Sequence, residues 1–230
     1  MTITEEFFAS RSLASGAAAQ RIAKAIESGL ADTPKASIVV TGGSTPEDCY
    51  RMLANTALSW GRVLITLSDD RCVPVDHDAS NAGMIQRSLI ANHAAEAELV
   101  TIYDQDRPER DQCELFETKL KSIHLPFEIS LLGIGNDGHI ASLFADVEQI
   151  AEGLNAESDR NCMLIETSAS PHRRISLTMP AILNSRELLL LFFGDTKRDV
   201  YEQSKLPESA YPLSRLLLQQ QTPVHTIWAP

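Results

Sequence analysis

Short runs of apolar and often β-branched residues recur along this chain, and segments with helical periodicity separate them. The runs cover residues 37–41, 63–67, 129–132, 188–193 and 224–228. Apolar residues at helical spacing mark the first 30 residues, residues 46–58 and residues 109–124. Strands that alternate with helices favour a mostly parallel sheet with helices on both faces. We therefore predict an α/β fold, in which the unbroken apolar run 188–193 is a strand buried on both sides.

The length of the chain allows one large domain or two closely packed lobes, since it has 230 residues. Neither a flexible linker nor an internal repeat divides the sequence, so we predict a single domain over residues 1–230. The amino terminus lacks the features of a secretion signal, and the longest strongly apolar run, residues 188–193, is far shorter than the roughly 20 residues of a membrane span. We therefore expect a soluble, cytoplasmic protein.

Charge, cysteines and missing motifs exclude several classes of function. The formal net charge of −11 repels phosphate backbones, which makes nucleic acids and anionic membranes poor partners. The four cysteines include no C-x-x-C pair, so the sequence supports neither a zinc ribbon nor a dithiol redox motif, and we expect reduced thiols. The chain also lacks the motifs of a serine hydrolase elbow, a zinc hydrolase and a nucleotide P-loop.

Four of the predicted strands run directly into small, charged or glycine-rich residues. These segments are residues 42–46, 68–71, 133–139 and 194–197. Because ligands of open α/β sheets bind beyond the carboxyl ends of the strands, the four segments can converge on one crevice. This crevice is our hypothesis for the functional site.

The first of these segments is suited to binding an anion. Gly42 and Gly43 allow backbone amides to approach a ligand closely, and the helix that follows adds positive potential. Thr45 is predicted to cap this helix and Pro46 to occupy its first position. A simple capped helix after a tight turn would have the same sequence, so the segment alone leaves both interpretations open.

Two further segments carry acid–base or cationic side chains. Residues 133–138 match G-x-G-x-x-G, but their late position and the histidine after the third glycine weaken a dinucleotide-binding interpretation. His139 can instead take a proton from water, with Asp137 orienting its ring, although a histidine that only satisfies a loop is the alternative. Arg71, which follows two aspartates, can grip a phosphate or can form a local ion pair.

Taken together, the segments resemble the 6-phosphogluconolactonase family. The resemblance covers about residues 35–228 and rests on the motifs Thr41-Gly-Gly-Ser-Thr-Pro46, Asp69-Asp70-Arg71, Ser80-Asn81, Leu132-Gly-Ile-Gly-Asn-Asp-Gly-His-Ile-Ala-Ser-Leu-Phe144 and Gly194-Asp-Thr-Lys197. The related glucosamine-6-phosphate isomerase/deaminases follow Asp-Gly-His with Phe-Asn-Glu-Pro and tend to have an aromatic residue in place of Arg71. Asp70 departs from the lactonase pattern, which usually has glutamate there.

The resemblance implies a Rossmann-like, three-layer fold and hydrolysis of a sugar-phosphate lactone. The substrate would be 6-phospho-D-glucono-1,5-lactone, an intermediate of the oxidative pentose phosphate pathway, and the reaction would need neither a metal nor an organic cofactor. A glucosamine-6-phosphate isomerase/deaminase and a non-catalytic sugar-phosphate-binding module are the alternatives. Nothing in the sequence decides between a monomer and a small homo-oligomer.

The same resemblance assigns expected roles to particular residues. His139 would be the general base that activates water, with Asp137 beside it, and Asp69 would position Arg71 or a substrate hydroxyl. Arg174 would bind the phosphate or the developing oxyanion. The remaining groups expected to hold the phosphate are Arg71, Lys197 and the backbone amides of Gly42, Gly43 and Ser44.

Overall fold

The computed structural model describes residues 3–230, within which ten strands and eight α-helices follow one another along the chain. The strands are β1 (Ile3–Phe7), β2 (Ala36–Val40), β3 (Val63–Leu67), β4 (Asp69–Arg71), β5 (Glu98–Val100), β6 (Ile129–Leu132), β7 (Cys162–Ile165), β8 (Arg174–Leu177), β9 (Leu188–Phe193) and β10 (Val224–Ala229). The helices are α1 (Arg11–Asp32), α2 (Glu47–Ala54), α3 (Asn81–Ser88), α4 (Gln112–Leu120), α5 (Ile150–Gly153), α6 (Met179–Leu183), α7 (Asp195–Ser204) and α8 (Pro212–Leu218).

A seven-stranded sheet forms the centre of the fold. Its strand order is β1-β10-β9-β6-β2-β3-β5, and every neighbouring pair is parallel. All residues of β2, β3, β6 and β10 are buried, as strands covered on both faces require. The predicted α/β fold with a mostly parallel sheet is therefore confirmed. The apolar run Leu188–Phe193 is strand β9, buried except for its half-buried last residue.

A second sheet, which the sequence analysis did not predict, has three short antiparallel strands in the order β4-β8-β7. Only Ser68 separates β4 from the preceding strand β3. The amide of Ser68 donates to the carbonyl of Val40 at 2.8 Å, and its own carbonyl accepts from the amide of Leu177 at 2.8 Å. Ser68 thus ties the small sheet to the large one. The pairing of β4 with β8 brings Arg71 opposite Arg174.

The N-terminal segment differs from the sequence-based prediction of a helix. Residues Ile3–Phe7 form β1, which pairs in parallel with β10. Helix α1 begins only at Arg11, and the hydroxyl of Ser10 caps it by accepting from the amide of Leu13 at 3.4 Å. Pairing with a strand from the other end of the chain outweighs the local helical periodicity, which is why the sequence pattern misled here.

Two predicted helices are shorter than expected, and one predicted cap is wrong. Helix α2 covers Glu47–Ala54 and α4 covers Gln112–Leu120, whereas the periodic segments extend to residues 58 and 124. Thr45 does not cap α2. Pro46 takes that position in a helical backbone conformation, and its carbonyl accepts from the amide of Tyr50 at 2.9 Å. The turn therefore runs directly into the helix without a side-chain cap. Within residues 3–230, none of the helices combines the length and apolar character that a bilayer span needs.

We expect that shortening a buried side chain of strand β9 destabilises the whole fold. Leu190 is fully buried, so Leu190→Ala should lower the free energy of unfolding by about 2–5 kcal/mol through lost burial and the cavity left behind. Leu206→Ala is the matched control, because that side chain is 49% exposed and its loss should change stability by less than about 0.5 kcal/mol. Urea denaturation followed by circular dichroism measures both, and equal effects would contradict the assignment of β9 to the core.

Candidate active site

A cleft of about 340 Å³ lies where the four predicted strand ends meet. It is lined by Thr41, Gly42, Gly43, Ser44, Thr45, Pro46, Asp69, Arg71, Asn81, Gly133, Ile134, Gly135, Asn136, His139, Ala141, Arg174 and Lys197. Its volume lies within the range of small-molecule sites. Every residue proposed from the sequence for the site lines this cleft except Asp137, which contacts His139 from its edge.

The turn after β2 offers backbone amides to the cleft. Gly43 has a φ of +89°, a left-handed conformation that glycine adopts at little cost. A Cβ atom on Gly42 would lie 2.0 Å from Oδ1 of Asn81, so only glycine fits there. Within residues 3–230, the amides of Gly42, Gly43 and Ser44 donate to no protein acceptor. These free donors precede helix α2 by a few residues, an arrangement that favours an anion.

Tyr50 fixes the end of β2 from which this turn starts. Its buried hydroxyl accepts from the amide of Thr41 at 3.0 Å and donates to the carbonyl of the same residue at 2.6 Å. Burial raises the pKa of Tyr50, which keeps the hydroxyl protonated and able to serve as both donor and acceptor. The glycine turn therefore leaves the sheet from a rigid point.

Two arginines face the cleft side by side. Arg71 and Arg174 are direct partners across strands β4 and β8, an arrangement that is unfavourable for two like charges unless an anion lies between them. The Nε atom of each is buried and has no protein partner, while Arg71 donates from Nη1 to the carbonyl of Ala79 at 2.7 Å. Burial, together with the charge of Arg71, lowers the pKa of Arg174. Within residues 3–230, Nη2 of each guanidinium also donates to no protein acceptor and is not among the buried atoms, so both arginines keep a donor that a ligand can reach.

Asp69 is buried and supports Arg174 rather than Arg71. Its carboxylate accepts from the hydroxyl of Ser68 at 2.9 Å and from that of Ser142 at 2.6 Å, and it lies 3.8 Å from Nη1 of Arg174. Arg174 also donates to the hydroxyl of Ser142 at 3.3 Å. The family resemblance implies that Asp69 positions either Arg71 or a substrate hydroxyl. It contacts Arg174 instead of Arg71, and its contact with a substrate hydroxyl stays a prediction.

Asp70 points away from the cleft and caps a helix. Its carboxylate accepts from the backbone amides of Asn81 at 2.7 Å and Ala82 at 2.9 Å, at the start of α3. Burial raises its pKa to about 6, even though these amides stabilise the charged form. Since the aspartate reaches the amides directly, its place in the lactonase-like motif is structural in this chain.

His139 and Asp137 form an oriented acid–base pair on the turn after β6. Oδ1 of Asp137 lies 2.5 Å from Nδ1 of His139. The centroid of the imidazole lies 4.1 Å from the centroid of the Phe144 ring. A carboxylate at Nδ1 holds the proton on that nitrogen and leaves the lone pair on Nε2. A Cβ atom on Gly135 would lie 2.1 Å from Nδ1, so the glycine is what allows the turn to close beneath the ring.

Lys197 completes the cationic lining, and Arg173 stays outside it. Lys197 is the third residue of α7, and burial together with the nearby charge of Arg11 lowers its pKa. It has no ion-pair partner in the part of the chain that the structure describes. Arg173 instead points outwards and pairs with Glu109 at 2.9 Å and with Glu166 at 3.3 Å.

The glycine-rich turn does not have the context of a dinucleotide site. No helix opens after Gly138, because the next one, α5, begins only at Ile150. Gly138 instead adopts a φ of +73°, with Tyr211 packed against it. Among residues 3–230, no cluster of three or more histidine, cysteine, aspartate or glutamate side chains has the arrangement of a metal site.

Three residues that matter for the geometry received no role from the sequence. Asn81 packs under Gly42 and donates to the carbonyl of Asp69 at 2.9 Å, Ser142 links Asp69 to Arg174, and Phe144 contacts His139. All three belong to the motifs that carry the family resemblance. Their place in those motifs was the available signal, but their contacts are with residues distant in the sequence.

Comparisons with known proteins point to one family. A family model described as glucosamine-6-phosphate isomerases/6-phosphogluconolactonase matches residues 9–228. The chain is 31% identical over 214 residues to a 6-phosphogluconolactonase from Mesorhizobium japonicum, across 93% of this chain and 90% of that protein. A relative of the same description from Pseudomonas aeruginosa is 32% identical over 78% of this chain and 75% of its own length. The crystal structure of a 6-phosphogluconolactonase from Shewanella baltica matches with a TM-score of 0.95 and 31% identity, over 100% of this chain and 98% of that one.

The burial of Asp70 implies a specific pH dependence of stability. Because its pKa is about 6 in the folded protein, the fold retains a proton at pH values where an unfolded aspartate has lost it. The contribution of this group to the free energy of unfolding therefore falls as the pH rises from about 4 to about 6. The stability of the wild type relative to Asp70→Asn should decline across that window, on the order of 2 kcal/mol. Urea denaturation of both proteins across the window tests this, and a constant difference would contradict it.

Proposed function

The chain belongs to the glucosamine-6-phosphate isomerase/6-phosphogluconolactonase family, and we propose that it hydrolyses 6-phospho-D-glucono-1,5-lactone to 6-phospho-D-gluconate, the lactonase reaction of the oxidative pentose phosphate pathway. The observation that carries this proposal is an imidazole, oriented by a carboxylate, in the same cleft as unpaired cationic groups. A phosphorylated lactone needs both, because water must be activated while the substrate is held by its phosphate.

His139 acts as the general base in this mechanism. Its Nε2 takes a proton from water as the water oxygen attacks the lactone carbonyl, and Asp137 stabilises the imidazolium that forms. The carbonyl oxygen becomes an oxyanion in the tetrahedral intermediate. Collapse of this intermediate breaks the bond to the ring oxygen, which takes the proton back from the imidazolium. The reaction thus uses one base, one water molecule and a positioned substrate, and it calls on neither a metal nor an organic cofactor.

Arg174 is placed to stabilise the oxyanion. Its guanidinium carbon lies 5.2 Å from the centre of the Phe144 ring, and the same ring packs against His139. The cation and the proposed base therefore contact the same aromatic side chain. Asp69 and Ser142 both contact Nη1 of Arg174 and are hydrogen-bonded to each other. They act through Arg174, which makes them positioning residues rather than catalytic ones.

The phosphate is bound by the remaining donors of the cleft. Arg71 contributes its unpaired Nη2, Lys197 its unpaired ammonium group, and the turn after β2 the free amides of Gly42, Gly43 and Ser44. Charge-assisted hydrogen bonds of this kind are roughly twice as strong as neutral ones. Fixing the phosphate holds the lactone ring in a defined position relative to His139.

The family also contains isomerases that act on glucosamine 6-phosphate, and particular residues favour the lactonase. Arg71 stands where such isomerases tend to have an aromatic residue. The chain continues after His139 with Ile140-Ala-Ser-Leu-Phe144, of which Ser142 and Phe144 contact Arg174. Incubation with glucosamine 6-phosphate should release no ammonia, and such a release would identify a deaminase instead.

We extend the proposal to the organisation of the protein. Residues 1–230 act as a single domain, since the buried apolar side chains of both sheets belong to one cluster. The protein works in the cytoplasm, where its proposed pathway operates, as a monomer or small homo-oligomer without nucleic-acid or membrane partners. The net charge of −11 supports the last point.

Replacing the proposed base should abolish most of the turnover. His139→Asn is expected to lower kcat by at least about 10²-fold, because general-base catalysis typically contributes that much. Asp137→Asn should lower kcat less, since it retains the imidazole but not the charge that orients it. Acid release from freshly made lactone, corrected for spontaneous hydrolysis, is the measurement. A kcat close to normal in His139→Asn would remove the base assignment.

Replacing Arg71 should weaken substrate binding more than chemistry. Arg71→Ala is expected to raise KM by roughly 10- to 100-fold, the loss of a charge-assisted hydrogen bond to the phosphate. Arg173→Ala is the matched control, because it removes the same charge from an arginine that points away from the cleft. An unchanged KM in Arg71→Ala, or an equal rise in both variants, would show that Arg71 has only a structural role.

A further inference from the structure

Two cysteines that are distant in sequence meet in the fold, outside the cleft. Sγ of Cys113, in the first turn of α4, lies 3.0 Å from Sγ of Cys162, the first residue of β7. They are 49 positions apart in the sequence, so no C-x-x-C motif indicates that they are close. Neither residue lines the cleft that holds His139. The proximity therefore has no explanation in the proposed lactonase reaction.

The two thiols differ in accessibility and in acidity. Cys162 is buried, whereas Cys113 is partly exposed at the start of a helix. The hydrogen bond donated by Cys162 is the main cause that lowers the pKa of Cys113, and the positive charge of Arg160 adds to it. The same bond, together with burial, raises the pKa of Cys162. Cys113 is thus the better nucleophile of the pair, and Cys162 keeps its proton.

The other two cysteines have no such activation. Burial raises the pKa of Cys49 to about 12, and burial with the nearby charge of Glu109 does the same for Cys72. Of the four cysteines in the chain, Cys113 is the only one whose pKa is lowered. A partly exposed thiol of lowered pKa beside a second thiol is the arrangement that favours oxidation to a disulfide.

We propose that Cys113 and Cys162 are a reversible oxidation site, in which a hydroperoxide converts the two thiols to a disulfide between α4 and β7. Cys113 reacts first and Cys162 resolves the intermediate. This proposal is independent of the lactonase assignment, because it rests on groups outside the cleft.

The chemistry balances with the hydroperoxide as the oxidant. The Cys113 thiolate attacks one peroxide oxygen, so that an S–O bond forms, the O–O bond breaks, and the departing oxygen takes a proton to leave as water or an alcohol. Cys162 then loses its proton and attacks the sulfur of the resulting sulfenic acid. The S–S bond forms as the S–O bond breaks, and hydroxide leaves with that proton as water. The protein loses two electrons and two protons in total.

The disulfide would join α4 to the small sheet. Strand β7 pairs with β8, which carries Arg174. The cross-link would restrict the unfolded chain, and neither of the linked cysteines lines the cleft. The sulfur atoms must approach by about 1 Å to reach the bonded separation of about 2 Å. A cross-link that closes a loop of this size raises thermal stability, on the order of 5 °C or more in melting temperature.

The test uses the full-length protein and hydrogen peroxide. Reduced wild type is treated with a small molar excess of peroxide, alkylated, digested without reductant and mapped by mass spectrometry. We expect one linked peptide pair that contains Cys113 and Cys162, together with a higher melting temperature, and dithiothreitol should reverse both. Cys113 left as free thiol, Cys113 oxidised to sulfinic acid without a cross-link, or linkage of Cys72 to either residue would overturn the proposal.

Matched serine variants separate the roles of the two thiols. In Cys162→Ser, we expect a sulfenic acid at Cys113 that dimedone traps, and in Cys113→Ser we expect Cys162 to remain reduced. Cys72→Ser is the control and should form the disulfide as the wild type does. If Cys162 were oxidised as fast without Cys113 as with it, the proposed order would be wrong. The mapping of the wild type decides the existence of the cross-link even if a variant fails to fold.

Discussion

The alternation of side chains along β4 is the constraint on which the site depends. In a strand, successive residues point to opposite faces, and the three residues of β4 obey this rule. Asp69 and Arg71 therefore face the cleft, while Asp70 between them faces α3 and accepts its first amides. One short strand thus supplies a cation to the cleft, a carboxylate that contacts Arg174, and a carboxylate that accepts the first amides of a helix. Ser68, just before this strand, donates to the carbonyl of Val40 in the large sheet and accepts from the amide of Leu177 in the small sheet, so it joins the two sheets.

The sequence predicts five of the seven strands of the large sheet because these five are apolar runs. It misses the edge strands β1 and β5, which are short and carry charged residues. It does not predict the small sheet, since Asp69–Arg71 has no apolar pattern and its pairing with β8 joins residues more than 100 positions apart. For the same reason the sequence alone gives no basis for preferring Arg174 over Arg173. The structure decides between them. Arg174, the first residue of β8, faces the cleft, whereas Arg173, just before the strand, faces outwards. Ser142 and Phe144 likewise acquire their significance only from contacts across the fold.

An acidic protein with a cationic cleft is not a contradiction, because local pairing decides the field that a ligand meets. Several exposed arginines have carboxylate partners, as Arg51 has with Glu47 and Asp48 and as Arg173 has with Glu109 and Glu166. The arginines of the cleft instead keep unpaired donors. At physiological salt, charges beyond about 8 Å are largely screened, so the surface carboxylates have little influence inside the cleft.

Phe144 contacts both the proposed base His139 and the cation Arg174. Its ring packs against the imidazole of His139 and also lies under the guanidinium of Arg174. A change in the size or tilt of this ring would therefore alter the surroundings of both the proposed proton acceptor and the cation. Under the proposed mechanism, a substitution at Phe144 should therefore change proton transfer and anion binding together rather than one of them alone.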